Sequence, residues 1–107
     1  TRISELRAGQ VRTSDFDPAA LFGEYARPQD LAGGEAAQNA VLLREVLSGR
    51  DRGPRRNIVL LNAAYALMAA DEASGLAAAL RRAAEAIDTG AAEAKLDALI
   101  ARMRNTP

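Results

Sequence analysis

Thirteen consecutive residues, IVLLNAAYALMAA from Ile58 to Ala70, are apolar at every position except Asn62. An unbroken run of that length without alternation suits a helix, and a helix apolar around nearly its whole circumference is stable only when other elements enclose it. Pro54 sets its start, because the fixed φ and missing N–H of proline suit the first helical position. The run is shorter than the roughly 18 to 20 apolar residues that cross a bilayer as a helix, so it reads as the central helix of a soluble layer and not as a membrane span.

The residues around it supply the enclosing layer. From Glu35 to Ser48, Ala36, Ala40, Leu43 and Leu47 form one stripe at helical spacing, and Leu42 and Val46 form a second beside it, which implies two packing neighbours. Gly49 suits the left-handed position that ends such a helix. Asp71 to Ser74 closes the central helix, with Ser74 the expected N-cap of the next. Leu76, Leu80, Ala83 and Ile87 then form one narrow stripe, with Arg81 and Glu85 as an i,i+4 pair on the solvent side. Thr89 and Gly90 interrupt the pattern before a last helix whose inner face carries Ala92, Leu96, Leu99, Ile100 and Met103; Asn105, Thr106 and Pro107 are expected to fray.

Ahead of the helices, Thr1–Arg7 and Gln10–Asp17 read as a β-hairpin turning at Ala8 and Gly9. Ile3 and Leu6 have opposite parity, so a bulge or a loosely packed edge is expected. Asp17 and Pro18 read as the N-cap and first residue of a short helix stopped at Gly23, and residues 24–34 as an ordered loop. The chain is thus an α+β fragment, mostly α: residues 1–17 a β-hairpin, 18–34 a short helix and loop, 35–107 helices, with about four helices after the hairpin. Its 107 residues are one domain or part of one.

Several functions are excluded by what the chain lacks. It has no Cys and no His, hence no disulfide, thiolate nucleophile, imidazole base or usual zinc site. Fourteen basic residues balance fourteen acidic ones, which removes the positive field that gathers nucleic acid. The first ten residues carry charges where a signal peptide has its apolar region, so the expected location is the cytoplasm. A start at Thr1 without a Met suggests a processed product or a fragment.

The cluster closest to a site is Arg50, Asp51, Arg52, Gly53, Pro54, Arg55 and Arg56, where guanidiniums beside a helix N-terminus could hold a phosphate. A phosphate loop needs several backbone N–H groups converging on one anion, and Pro54 removes one from a turn with a single glycine, so a structural turn with solvated charges is the preferred reading. Asp15 with Asp17, and Asp71 with Glu72, have the composition of a Mg²⁺ site but the placement of solvated caps. Asn39 and Asn62 sit on strongly apolar helices, where burial with structural hydrogen bonds is expected in place of substrate reading. Tyr65 and Met68 read as core. Ser4, Ser14, Ser48 and Ser74 have no base beside them, and Lys95 is the only lysine. The expectation is that no catalytic, cofactor-binding or metal-binding residue lies in these 107.

Five features in order, TRISELRAGQVRTSDFDP, DLAGGEAAQNAVLLREVLSG, GPRRNIVLLNAAYAL, AAEAIDTGAA and KLDALIA, resemble the C-terminal third of the anthranilate phosphoribosyltransferases. That resemblance implies an α/β catalytic domain, here its C-terminal part, paired with a helical N-terminal domain. It implies transfer of phosphoribosyl from phosphoribosyl pyrophosphate to the amine of anthranilate in tryptophan biosynthesis, with Mg²⁺, by a homodimer. The family's Gly-rich pyrophosphate loop, anthranilate-binding residues and Asp-Glu magnesium pair all belong to the part preceding Thr1, and none maps onto a position here. The resemblance therefore implies that this piece is structural and inert alone, with the remainder of the enzyme as its partner. Two alternatives stand beside it: a fold-related nucleic-acid-binding paralogue and a stand-alone helical interaction module.

Overall fold

The computed structural model describes residues 1–106; Pro107, expected to fray, lies outside them. Strands β1 (Arg2–Arg7) and β2 (Gln10–Asp15) form a two-stranded antiparallel hairpin with Leu6 opposite Val11 and Arg2 opposite Asp15. Both turn residues have positive φ, 51° at Ala8 and 76° at Gly9, the geometry whose twist matches that of the flanking strands. The register is unbroken, so of the two expected outcomes the loosely packed edge is found and the bulge is not. Of the twelve strand residues only Ile3 is even half-buried.

Five helices follow: α1 (Pro18–Phe22), α2 (Ala36–Leu47), α3 (Pro54–Ala69), α4 (Leu76–Asp88) and α5 (Ala91–Arg104), with a 3₁₀ turn at Pro28–Leu31 inside the loop. Local chemistry accounts for their ends. The Asp17 carboxylate accepts from the Ala19 N–H at 3.0 Å to start α1. Gly23, Gly49 and Gly90 take left-handed φ where α1, α2 and α4 stop. Gly75, not Ser74, is the N-cap of α4 and makes no side-chain cap, a correction to the expectation at Ser74. At the far end α5 stops at Arg104, with Asn105 as its C-cap and Thr106 bonding back to Arg102 and Met103.

The core lies where α2, α3 and α4 meet. Val46, Leu60, Ala83 and Ile87 form its centre, and Leu47, Val59, Leu80 and Ala92 pack around them. Small alanines let α3 and α4 approach closely: Ala64 and Ala79 are fully enclosed. The stripe Leu76, Leu80, Ala83 and Ile87 faces this core as its spacing requires. Arg81 and Glu85 both face solvent but form no ion pair; Arg82 pairs instead with Glu72 at 3.7 Å.

Elsewhere burial stops short of what the pattern asks. Helix α3 is covered on one side only, with Ile58 and Asn62 exposed, so it is not enclosed all round. The first stripe of α2 is open at Ala36, Ala40 and Leu43, and α5 exposes Leu99 and Met103. The chain exposes 7798 Å², where a compact monomer of its 11.3 kDa exposes about 5,700 Å². Its radius of gyration is 15.7 Å against about 13 Å for a compact domain of this length. Roughly 2,000 Å² of surface is thus in excess of a self-contained fold.

Candidate functional site

The turn between α2 and α3 gathers the arginines. Its backbone is closed from within: the Asp51 N–H donates to the Glu45 carbonyl at 2.9 Å, and the Asp51 carboxylate accepts from the Gly53 N–H at 2.9 Å. The donor that a phosphate would have used at Gly53 is therefore occupied. Each guanidinium also has a partner. Arg50 lies 3.8 Å from Glu45, and Arg55 donates to the Ala32 carbonyl at 2.9 Å. Arg52 and Arg56 converge on one carboxylate, Asp88 at the end of α4, at 3.6 and 3.1 Å.

Arg56 departs from the solvated cluster expected of this turn, because its side chain is only 7% exposed. Its Nη2 reaches Asp88 while Nη1 is buried without a protein partner. A buried guanidinium is tolerated when a carboxylate neutralises it, so Asp88 joins the start of α3 to the end of α4. The sequence held no local sign of this, since the two residues stand 32 apart. The turn's groups are committed to each other and to the fold, which favours the structural reading over anion binding.

Three of the four residues in the acidic pairs are similarly committed. Asp15 bonds Arg2 across the hairpin at 3.2 Å, and Asp17 holds both the Ala19 N–H and, at 2.8 Å, the Tyr25 hydroxyl. That hydrogen bond, and behind it the carboxylate's charge, pushes the Tyr25 phenol above its ordinary pKa. Asp71 is exposed at a positive φ of 56°, and Glu72 pairs with Arg82, which also donates to the Glu72 carbonyl. Among the described residues no three acidic side chains converge as a metal cage would require.

Asn39 and Asn62 are corrections: both side chains are exposed, not buried. Asn39 keeps the hydrogen bonding expected of it, though to the loop and not within a core. Its Oδ1 accepts from the Gly34 N–H at 2.8 Å and its Nδ2 donates to the Gly34 carbonyl at 2.9 Å, tying the start of α2 to the loop before it. Tyr65 and Met68 are half-buried between α3 and the hairpin, where Tyr65 meets Phe16 edge-on with ring centroids 6.5 Å apart. Ser4 shares a hydrogen bond with Thr13 at 2.9 Å and Ser48 donates to the Glu45 carbonyl, so both are structural; Ser74 and Lys95 are exposed.

Two polar links escaped the sequence. Arg44 on α2 bonds Glu93 at 3.3 Å and Asp97 at 2.9 Å, both on α5. A charged residue beside the apolar stripes of α2 was the available signal. Arg27 and Asp30 form a bidentate pair with bonds of 3.2 and 2.9 Å. The guanidinium bond first, and the Arg27 N–H second, hold the Asp30 carboxyl below the usual carboxylate range.

The a/b domain of the glycosyl transferase family matches residues 1–93. An anthranilate phosphoribosyltransferase of Syntrophobacter fumaroxidans is 53% identical over 100 residues, 94% of this chain and 29% of its own. One of Desulfosudis oleivorans is 48% identical over 100 residues, covering 94% of this chain and 30% of its own. Anthranilate phosphoribosyltransferase 2 of Streptomyces coelicolor is 53% identical over 95 residues, 89% of this chain and 28% of its own. The chain therefore spans about three tenths of the length of these relatives.

Proposed function

The chain belongs to the glycosyl transferase family through its a/b domain, and from that premise we propose that residues 1–107 are the C-terminal portion of a phosphoribosyltransferase domain. The whole enzyme transfers phosphoribosyl from phosphoribosyl pyrophosphate to the amine of anthranilate, a step of tryptophan biosynthesis. The observation that carries this reading is identity of about half the residues across 94% of the chain to relatives bearing that name.

In this reading the 107 residues hold no catalytic, substrate-binding or metal-binding side chain. Arginines and carboxylates that could have served are tied to one another across helix boundaries, which supports a scaffolding role. Mg²⁺, which the family resemblance implies, does not fit the carboxylates present: Asp15 and Asp17 serve Arg2, Ala19 and Tyr25, and Glu72 serves Arg82. Metal and both substrates are assigned to the remainder of the enzyme, which works as a homodimer in the cytoplasm. A nucleic-acid-binding paralogue is disfavoured by the zero net charge. A stand-alone module is disfavoured by the excess surface of roughly 2,000 Å².

The test is a chimera in which this chain replaces the matching part of the Syntrophobacter fumaroxidans relative. Phosphoribosyl transfer to anthranilate is expected from the chimera and none from the 107 residues alone. A chimera that folds without turnover, or turnover by the isolated chain, defeats this reading.

A further inference from the structure

We propose that the outer face of α5 docks an acidic amphipathic helix of another protein, gripped by Leu99 between Lys95 and Arg102. The inference goes beyond the transferase reading and stands on the last helix alone. Spacing sets the face: Lys95, Leu99 and Arg102 follow at i, i+4 and i+7, with Ala98 beside them and Met103 one turn on from Leu99. All five are exposed, Leu99 at 54% and Met103 at 67%. The covered side of the helix is a different one, where Ala92, Leu96 and Ile100 are half-buried. Leu99 and Met103 thus carry the apolar stripe of α5 past the part of it that this chain packs against.

Charge decides what kind of partner fits. The acids of α5, Glu93 and Asp97, are both bonded to Arg44, while Lys95 and Arg102 form no ion pair among the described residues. The face is therefore apolar at its centre and positive at both ends, the complement of a helix whose leucine stripe is edged by glutamates. Ala98 has only a methyl group there, which lets a second helix come close. A second copy of this chain is the poorer occupant, because two-fold pairing of the face with itself brings Lys95 and Arg102 together, like charge on like. An anionic membrane asks for clusters of about four to eight basic residues, and this face has two. The remainder of a family-length chain is disfavoured as well: the a/b-domain match ends at residue 93, near the start of α5, so the face lies past the pattern that the domain shares.

Fluorescence anisotropy tests this on the chimera described above, with a labelled helical peptide that has Leu at i, i+3, i+4 and i+7 and Glu at its other positions. Micromolar binding is expected, weakened at least about 10-fold by Leu99→Ser and again by Lys95→Gln combined with Arg102→Gln. Arg81→Gln, on the solvent side of α4, is expected to leave it unchanged, and Lys in place of Glu in the peptide to abolish it. The substituted side chains are all exposed, so the variants should melt with the parent chimera. No binding, an equal loss from Arg81→Gln, or no loss from Leu99→Ser overturns the proposal. So does tighter binding to phosphatidylserine vesicles than to the peptide, which makes a membrane the occupant, or a dimer in sedimentation that Leu99→Ser dissolves, which makes it a second copy. Binding is read independently of turnover, so a folded but inactive chimera defeats the functional reading while this face is still decided. Should the chimera not fold, residues 91–105 alone are transplanted into the Syntrophobacter fumaroxidans relative, and absence of peptide binding there overturns the proposal.

Discussion

The junction of α2, α3 and α4 and the N-terminal hairpin are built to opposite rules. The junction joins residues far apart in sequence: Val46 and Leu60 meet Ala83 and Ile87, and Arg56 meets Asp88. The hairpin joins near neighbours through a two-residue turn and a regular ladder, yet buries almost nothing. A two-stranded hairpin alone is marginal in water, so its order depends on what packs against it, here Phe16 and Ile3 over Tyr65 and Met68. The contrast separates a region that supplies stability from one that is held in place and presents surface.

The contrast breaks most readily at the junction. Ile87→Ala removes the bulkiest buried side chain of α4 and is expected to destabilise the chain by about 2 to 4 kcal/mol, read as a shift of the denaturant midpoint. A loss below about 0.5 kcal/mol would mean that the helices do not share one core. Asp88→Ala comes next. It strands the Arg56 guanidinium, and because Asp88 is half exposed the expected cost is about 1 to 3 kcal/mol. Adding Arg56→Met should restore part of that loss; if the double variant is as unstable as the sum of its parts, the pair is not the junction's lock. Leu6→Ser, at the hairpin tip, should change the stability of the isolated chain by less than about 0.5 kcal/mol. A loss comparable to that of Ile87→Ala would erase the distinction between the two regions.

The same division explains what could be read from the sequence. Ends set by a single residue's own chemistry were legible: the Asp17 carboxylate caps α1, and Gly23, Gly49, Pro54 and Gly90 take the backbone conformations they favour. The stripe of α4 was legible because one partner covers it. Burial of Asn39 and Asn62 was misread because an apolar pattern reports which faces can be covered, not what covers them within 107 residues. Arg56 was misread as solvated because its neutralising partner lies a whole helix away. The candidate site fared likewise: composition placed the arginines at the turn, and only the fold revealed that they serve Asp88, Glu45 and Ala32.

Helix α5 has no buried residue, and Arg44 binds it to α2 through two carboxylates that keep substantial contact with water. Attachment by such bonds weakens as ions accumulate, since at about 0.1 M salt charges more than about 10 Å apart scarcely sense each other and even close exposed pairs are screened. Ionic strength therefore acts on this chain unevenly, weakening the link between α2 and α5 while Ala92 of α5 stays packed on the core and the alanine-lined contact of α3 and α4 stays indifferent to it.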